Sequence, residues 1–207
     1  MAWYDIFSKF YDSSLEALFL DARRRAAEAL DIQPDSTVLD LPAGTGQSFD
    51  HLQAHLGEGG HIVAVDLSSG MLDRARERTK RMGWNNISFV ETSVHDLTQA
   101  QLDAAVGQPT QIDRLHCFLG MTVFPDMDAA FERLFTLLRP GGRFAVLDTH
   151  AEKPSLQGHM VNLMARADIR RRFWEPIASR CDAFDKQILP SQPKHGGELV
   201  LCTGRKT

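Results

Sequence analysis

Five short apolar runs, each followed by a stretch of helical spacing, and then two runs with no helix between them, constrain this chain more than any other feature. The runs are residues 37–41, 61–67, 87–90, 112–119 and 143–147. The helical stretches after them are residues 48–56, 68–82, 98–106, 128–138 and 159–173, and a further Ala- and Arg-rich helix at residues 16–30 precedes the first run. Phe49, Leu52 and Leu56 recur at helical spacing, and so do Phe131, Leu134, Phe135 and Leu138, where Pro140-Gly141-Gly142 stops the helix. Strands joined by helical crossovers pair in parallel, with helices on both faces of the sheet. The last two runs, residues 183–189 and 198–203, are joined too briefly for a crossover and must be antiparallel. The expected fold is α/β: a seven-stranded, mostly parallel sheet with a C-terminal antiparallel hairpin. The Pro- and Gly-rich residues 187–197 form its long connection.

Composition narrows the function classes. A length of 207 residues suits a single domain over residues 1–207, and 43% hydrophobic with 24% charged residues is globular. A formal charge of −4 offers no basic surplus to hold nucleic acid. Cys117, Cys181 and Cys202 are far apart and in no metal spacing, so they read as reduced thiols of a cytoplasmic protein. The opening MAWYDIFSKF carries Asp5 and no apolar core, unlike a secretory signal, and no uncharged apolar stretch approaches the roughly 20 residues needed to span a bilayer.

The sharpest motif is residues 38–47, VLDLPAGTGQ, on the first strand-to-helix turn. Gly44 and Gly46 lack Cβ atoms, so a ligand can approach the backbone there, and the helix after them offers free N–H groups. In an open α/β sheet, ligands bind outside the carboxyl ends of the strands. The second strand ends in Asp66, 20 residues after Gly46, where a carboxylate can accept both hydroxyls of a ribose. Phe49 stands where a dinucleotide fingerprint needs its third glycine, and the Gly-Lys-Ser/Thr of a P-loop is absent. A nucleoside without phosphates remains.

With residues 64–71 (AVDLSSGM), 88–97 (SFVETSVHDL) and 138–142 (LRPGG), this loop resembles the class I S-adenosylmethionine-dependent methyltransferases, over residues 38–142 in the right order. Tyr4-Asp5 and Tyr11-Asp12 resemble the opening of the group related to ubiquinone/menaquinone biosynthesis and phospholipid N-methylation. The resemblance implies a Rossmann-like domain whose residues 1–30 are a helical lid, with S-adenosyl-L-methionine as cofactor. It implies that Asp40, Pro42, Gly44, Thr45 and Gly46 surround the methionine moiety and that Asp66 binds the ribose. Leu67 and Met71 would lie against the adenine, Val94 and its neighbours in the loop that reads the adenine edge, Phe118 and Leu119 beside the methionine tail, and Tyr11 in the lid. Pro42 replaces the first glycine of the usual loop and donates no N–H. Ser93 stands where many relatives carry an acid for the adenine amine, leaving His95, Asp96 or the backbone as substitutes.

A sulfonium methyl is already electrophilic, so the protein has mainly to align a nucleophile and exclude water. His116 and His150 are the candidate bases, with Asp148 a weaker one, although a lone histidine is more often a hydrogen-bonded structural residue. Met71, Ala75 and Met82 read as core, and the run Arg74, Arg76, Arg78, Lys80, Arg81 as a solvated helix face. Arg170, Arg171 and Arg172 before Phe173-Trp174 suggest transient contact with an anionic membrane surface, the plainer reading being cations at a helix end. Phe7, Phe10, Phe124, Met160, Met164 and Trp174 are candidate walls of an apolar substrate pocket. The expectation is a methyltransferase acting on a small-molecule or lipid-like acceptor at N, O or C. The alternatives are a non-catalytic cofactor-binding scaffold or an aminopropyl transferase, the latter weakened because no acid follows the fourth strand at residues 118–120.

Overall fold

The computed structural model describes the backbone of residues 2–207 and the side chains from residue 16 onward. Five strands run parallel: β1 (Thr37–Asp40), β2 (His61–Asp66), β3 (Ile87–Glu91), β4 (Ile112–Phe118) and β5 (Leu138–His150). The last two, β6 (Asp182–Leu189) and β7 (Glu198–Arg205), complete one sheet in the order β3-β2-β1-β4-β5-β7-β6. β7 is antiparallel to both its neighbours, as a helix-free return requires. The direction of the strand order changes at β1, so the β1 and β4 carboxyl ends flank a crevice.

Strand residues alternate between two cores because successive side chains point to opposite faces. Val38, Ile62, Ala64, Ala145, Leu147 and Leu201 join one core, with Phe19, Ala26, Phe49, Leu52 and Ala75 of α1 (Ala2–Ala29), α2 (Phe49–Gln53) and α3 (Ser69–Met82). Leu39, Val63, Val65, Phe144, Val146 and Cys202 join the other, with Leu102, Phe131, Leu134 and Ile177 of α4 (Gln99–Val106), α5 (Met127–Leu137) and α7 (Trp174–Ala178). Phe49, Phe131, Phe144 and Phe173 are wholly buried, and each such side chain contributes about 1.5–3 kcal/mol. α6 (Leu156–Ala165) leaves the sheet and packs on the turn at Pro193–His195 that interrupts the long connection between β6 and β7.

Three elements differ from the sequence expectation. β5 begins at Leu138, immediately after α5: Gly141 takes φ +73, its N–H bonds the Lys206 carbonyl, and the Gly142 carbonyl accepts the Lys206 N–H. The Pro-Gly-Gly stop thus ends the helix and is absorbed into the strand. The helix expected over residues 159–173 ends at Ala165, where Arg166 turns left-handed at φ +52 and Asn162 Oδ1 accepts the Ile169 N–H. The basic face of α3 is partly structural. Arg78 binds Glu16 of α1 and Asp50 of α2, the latter at 2.7 Å, and so fastens three helices together. Met82, read as core, is 49% exposed.

Candidate functional site

The crevice at the carboxyl ends of the strands is a cavity of about 650 Å³, within the range of small-molecule sites. One half is built by the β1–α2 turn (Pro42, Ala43, Gly44, Thr45, Gln47, Ser48), the tip of β2 (Asp66, Leu67, Ser68), Met71, and the segment after β3 (Thr92, Ser93, Val94, His95). The other half is built by Arg23, Leu41, Phe118, Leu119, residues 123–125 and Ala165, Arg166 and Arg171.

The two loop glycines have different jobs. Gly44 takes φ +55, and a Cβ there would meet nothing within 4 Å, so its open side is cavity. Gly46 takes φ +78, and a Cβ there would lie 2.5 Å from the Phe49 ring. The absence of a Cβ at Gly46 therefore makes room for the Phe49 ring. The peptide bond before Pro42 is cis.

Asp66 is held at the tip of β2 by two loops: Oδ2 accepts the Gly44 N–H at 2.8 Å and Oδ1 accepts the Ser68 N–H at 2.9 Å. Burial raises its pKa, against these donors, which lower it. Met71 and Val94 are buried cleft-lining residues, and Leu67 is 56% exposed at the lip. Ser93 lines the cleft and its hydroxyl donates to Asp96 Oδ2, while Asp96 is not among the lining residues. His95 lines the cleft, and its Nε2 is buried without a partner among the described residues.

Other expected site residues lie beneath the cleft or away from it. Asp40 is 1% exposed and His116 is wholly buried; His116 Nδ1 lies 2.7 Å from Asp40 Oδ1, and the ring stacks on Phe118. Asp40 Oδ2 and His116 Nε2 have no partner among the described residues. His150 sits in a second, open cleft of about 610 Å³ with Lys153, Arg172, Trp174, Lys186 and Glu198. Its Nδ1 is 3.3 Å from the Arg171 carbonyl oxygen, and its ring meets Trp174 edge to face. Asp148 is buried, its pKa pushed up to about 6 by burial against the donors that bind it. Its Oδ2 accepts the Thr122 N–H, and its Oδ1 accepts the Thr122 hydroxyl and the Thr149 N–H. It therefore fastens the loop after β4. The side chains of Phe7, Phe10 and Tyr11 lie outside the described residues.

Of the proposed apolar walls, Phe124 lines the cleft and Trp174 the second cleft, while Met160 and Met164 are exposed on α6. The arginine triplet is engaged within the protein. Arg170 pairs with Asp168, Arg172 with Glu152 and Glu175, and Arg171 donates to the Met121, Phe124 and Pro125 carbonyls, while Phe173 is buried. The sequence reading missed Arg23 and Arg166 in the cleft, because neither belongs to a motif and only the fold brings them to this cavity.

The residues present fit a nucleoside cofactor. A glycine whose Cβ side is open, a carboxylate held at the adjacent strand tip, buried apolar Met71 and Val94, and the side chain of His95 line one half of the cleft. Among the described residues, no group of acids, histidines or cysteines could hold a metal ion, and no helix is long and apolar enough to cross a membrane.

Comparison with known proteins agrees with this geometry. The methyltransferase-domain family matches residues 32–189. The ubiquinone/menaquinone biosynthesis C-methyltransferase UbiE of Klebsiella pneumoniae is 26% identical over 204 residues, covering 98% of this chain and 67% of that protein. The Escherichia coli enzyme is 25% identical over 188 residues, covering 90% of this chain and 62% of that protein. The chain thus spans about two thirds of the length of these relatives. Geranyl diphosphate C-methyltransferase from Streptomyces coelicolor, solved with S-adenosylhomocysteine, superimposes with a TM-score of 0.74 at 16% identity, over 97% of this chain and 84% of that one. Phosphoethanolamine N-methyltransferase 2 from Haemonchus contortus gives 0.73 at 12% identity, over 98% of this chain and 57% of that one. With its seven-stranded sheet and the cleft at its strand tips, the chain belongs to the methyltransferase-domain family as a class I S-adenosylmethionine-dependent methyltransferase.

Proposed function

We propose that the cleft holds S-adenosylmethionine in the half around Gly44 and Asp66 and a small organic acceptor in the half around Phe118 and Phe124. The observation that carries this reading is Asp66, fixed between the Gly44 and Ser68 N–H groups at the tip of β2. Bound there, the cofactor supplies an electrophilic methyl group. Asp66 accepts the ribose hydroxyls, and Gly44 lets the methionine portion pass the backbone where any side chain would stand. Leu67, Met71 and Val94 cover the adenine, and Ser93 and His95 meet its polar edge. Pro42, Thr45 and Leu119 border the methionine portion.

The chain's catalytic work is then alignment and exclusion of water. Leu41, Val123, Phe124 and Pro125 wall the acceptor half with apolar surface. His116 is a positioning residue in this reading: fully buried on Asp40, it stiffens β1 and β4 beneath the cleft and touches no acceptor. His150 faces the second cleft and takes no part. The helix spanning residues 2–29 closes over the site as a lid, and the chain acts as one domain; Phe19 and Arg23, on this helix and against Phe118, support that placement.

The names of the relatives, a quinone-pathway C-methyltransferase, a geranyl diphosphate C-methyltransferase and a phosphoethanolamine N-methyltransferase, support a small-molecule acceptor and leave the methylated atom open among N, O and C. Lipid-like acceptors and transient membrane contact belong to the same reading. Their support is α6, which exposes Leu156, Met160, Leu163 and Met164 immediately before the cleft residues Ala165 and Arg166. Three free thiols support a cytoplasmic setting.

The test is transfer of a labelled methyl group from S-adenosylmethionine to a panel of quinols, prenyl compounds, phospholipid head groups and aromatic acids. Transfer by the native chain and none by Gly44→Val is the expected result. Tight cofactor binding with no transfer across cell extracts would favour the scaffold reading.

A further inference from the structure

The two halves of the cleft differ in charge. Among the described lining residues the only carboxylate is Asp66, in the cofactor half, whereas the acceptor half carries Arg23, Arg166 and Arg171 and no acid. We propose that the acceptor is an anion: an apolar body seated on Phe118, Val123 and Phe124, carrying a carboxylate or phosphate group that Arg166 and Arg171 bind. The inference rests on the assignment of the other half to the cofactor.

Arg166 is the sharper of the two observations. It is the left-handed residue that ends α6, at φ +52. A Cβ strains that position, which glycine or asparagine fills most readily. Here it holds an exposed arginine at the cleft lip, and among the described residues no carboxylate or hydrogen-bond acceptor engages its guanidinium. Strained backbone concentrates at functional sites, and the same cleft is lined by a second left-handed residue that is not glycine, Leu119 at φ +58.

Arg171 reaches the opposite wall. Its guanidinium donates to the Phe124 carbonyl at 2.5 Å and to the Met121 and Pro125 carbonyls at 3.5 Å. Carbonyl partners orient the group without cancelling its charge, and Arg171 lines the cavity. Arg23 adds a third cation, its guanidinium 4.4 Å from the centre of the Phe118 ring. Arginine forks match carboxylate and phosphate oxygens in two-point contact, most strongly where an apolar wall keeps water out. The same field repels a protonated amine, so ammonium-bearing acceptors are selected against.

The test is calorimetric titration of the chain, with and without saturating S-adenosylhomocysteine, with three compounds of one apolar body: naphthoate, naphthyl phosphate and naphthylmethylamine. The two anions are expected to bind and the amine not; whichever anion binds tighter separates a carboxylate from a phosphate acceptor. Arg166→Asn keeps a residue suited to the left-handed turn, so the fold is retained. It is expected to weaken anion binding about tenfold while leaving the affinity for S-adenosylhomocysteine within about twofold, and Arg166→Lys to recover part of the loss. Amine binding as tight as that of the anions, or an Arg166→Asn chain with unchanged anion affinity, overturns the inference. A chain that binds S-adenosylhomocysteine but neither anion overturns it alone; a chain that binds none of them overturns the cofactor assignment as well.

Discussion

Asp66 accepts the Gly44 N–H at 2.8 Å across the turn after β1, while its other oxygen holds the Ser68 N–H at the start of α3. One carboxylate therefore fixes both loops that frame this half of the cleft. Asp66→Ala is expected to weaken S-adenosylhomocysteine binding by about 1–3 kcal/mol, the worth of charge-assisted hydrogen bonds. Burial raises this carboxyl above 3.8, so it takes up a proton at higher pH than an exposed aspartate. The native affinity should therefore fall on the acid side, and Asp66→Asn should abolish that pH dependence. Titrations at several pH values check both outcomes; an affinity unchanged in Asp66→Ala contradicts the ribose assignment.

The two glycines of the turn should separate binding from folding. Gly44→Val fills open cavity at a left-handed residue, so it is expected to abolish cofactor binding at a stability cost of about 1–2 kcal/mol. Gly46→Ala adds a collision with the Phe49 ring to the same backbone cost, and roughly 2–5 kcal/mol is expected. Urea denaturation alongside calorimetry distinguishes them; equal losses of stability would contradict the different roles.

His116 and Asp40 form a buried pair, 2.7 Å apart, whose strands are adjacent in the sheet. Removing one partner leaves the other buried and unsatisfied, so His116→Leu is expected to cost about 3–5 kcal/mol. Adding Asp40→Asn should recover part of that loss. A double-mutant cycle in denaturant reads the coupling, and strictly additive losses would show that the two side chains stand independently.

Asp148 gives a stability effect with a definite sign. Its carboxyl titrates near 6 in the folded chain and near 3.8 unfolded. Below both values it is protonated in both states; between them the folded state holds the proton more tightly; above both, the charged form is buried. Its stabilising contribution is therefore present below about pH 4 and lost as pH rises through about 6, amounting to about 3 kcal/mol. The native chain should lose stability relative to Asp148→Asn between pH 4.5 and 7, measured by unfolding at each pH. A difference independent of pH would contradict it.

The frame of the fold was legible because its signals are local. Short continuous apolar runs such as His61–Asp66 and the capped helix Ser69–Met82 declare themselves without neighbours. The β1–α2 glycine turn and Asp66 were legible for the same reason: both sit at strand tips. What depended on distant partners was not. Nothing beside Arg166 in sequence marks a helix end; the break is set by Asn162 bonding Ile169 and by the Asp168 N–H bonding Thr122. That Gly46 also makes room for Phe49, three residues on, was not legible, because it depends on how the ring folds back. The pairing of His116 with Asp40 was not legible because 76 residues separate them in sequence. The partners of the arginine triplet were not legible either: Glu152 lies 20 residues before Arg172, and the residue 121–125 carbonyls lie about 50 before Arg171.

The most direct measurement is calorimetric titration of the native chain with S-adenosylmethionine, S-adenosylhomocysteine and NAD. The cleft described here should bind both sulfur compounds with dissociation constants on the order of micromolar, about −8 kcal/mol, should leave NAD unbound, and should lose both affinities in Gly44→Val. Binding of NAD, or sulfur-compound affinities indifferent to Gly44→Val, would contradict the cofactor site.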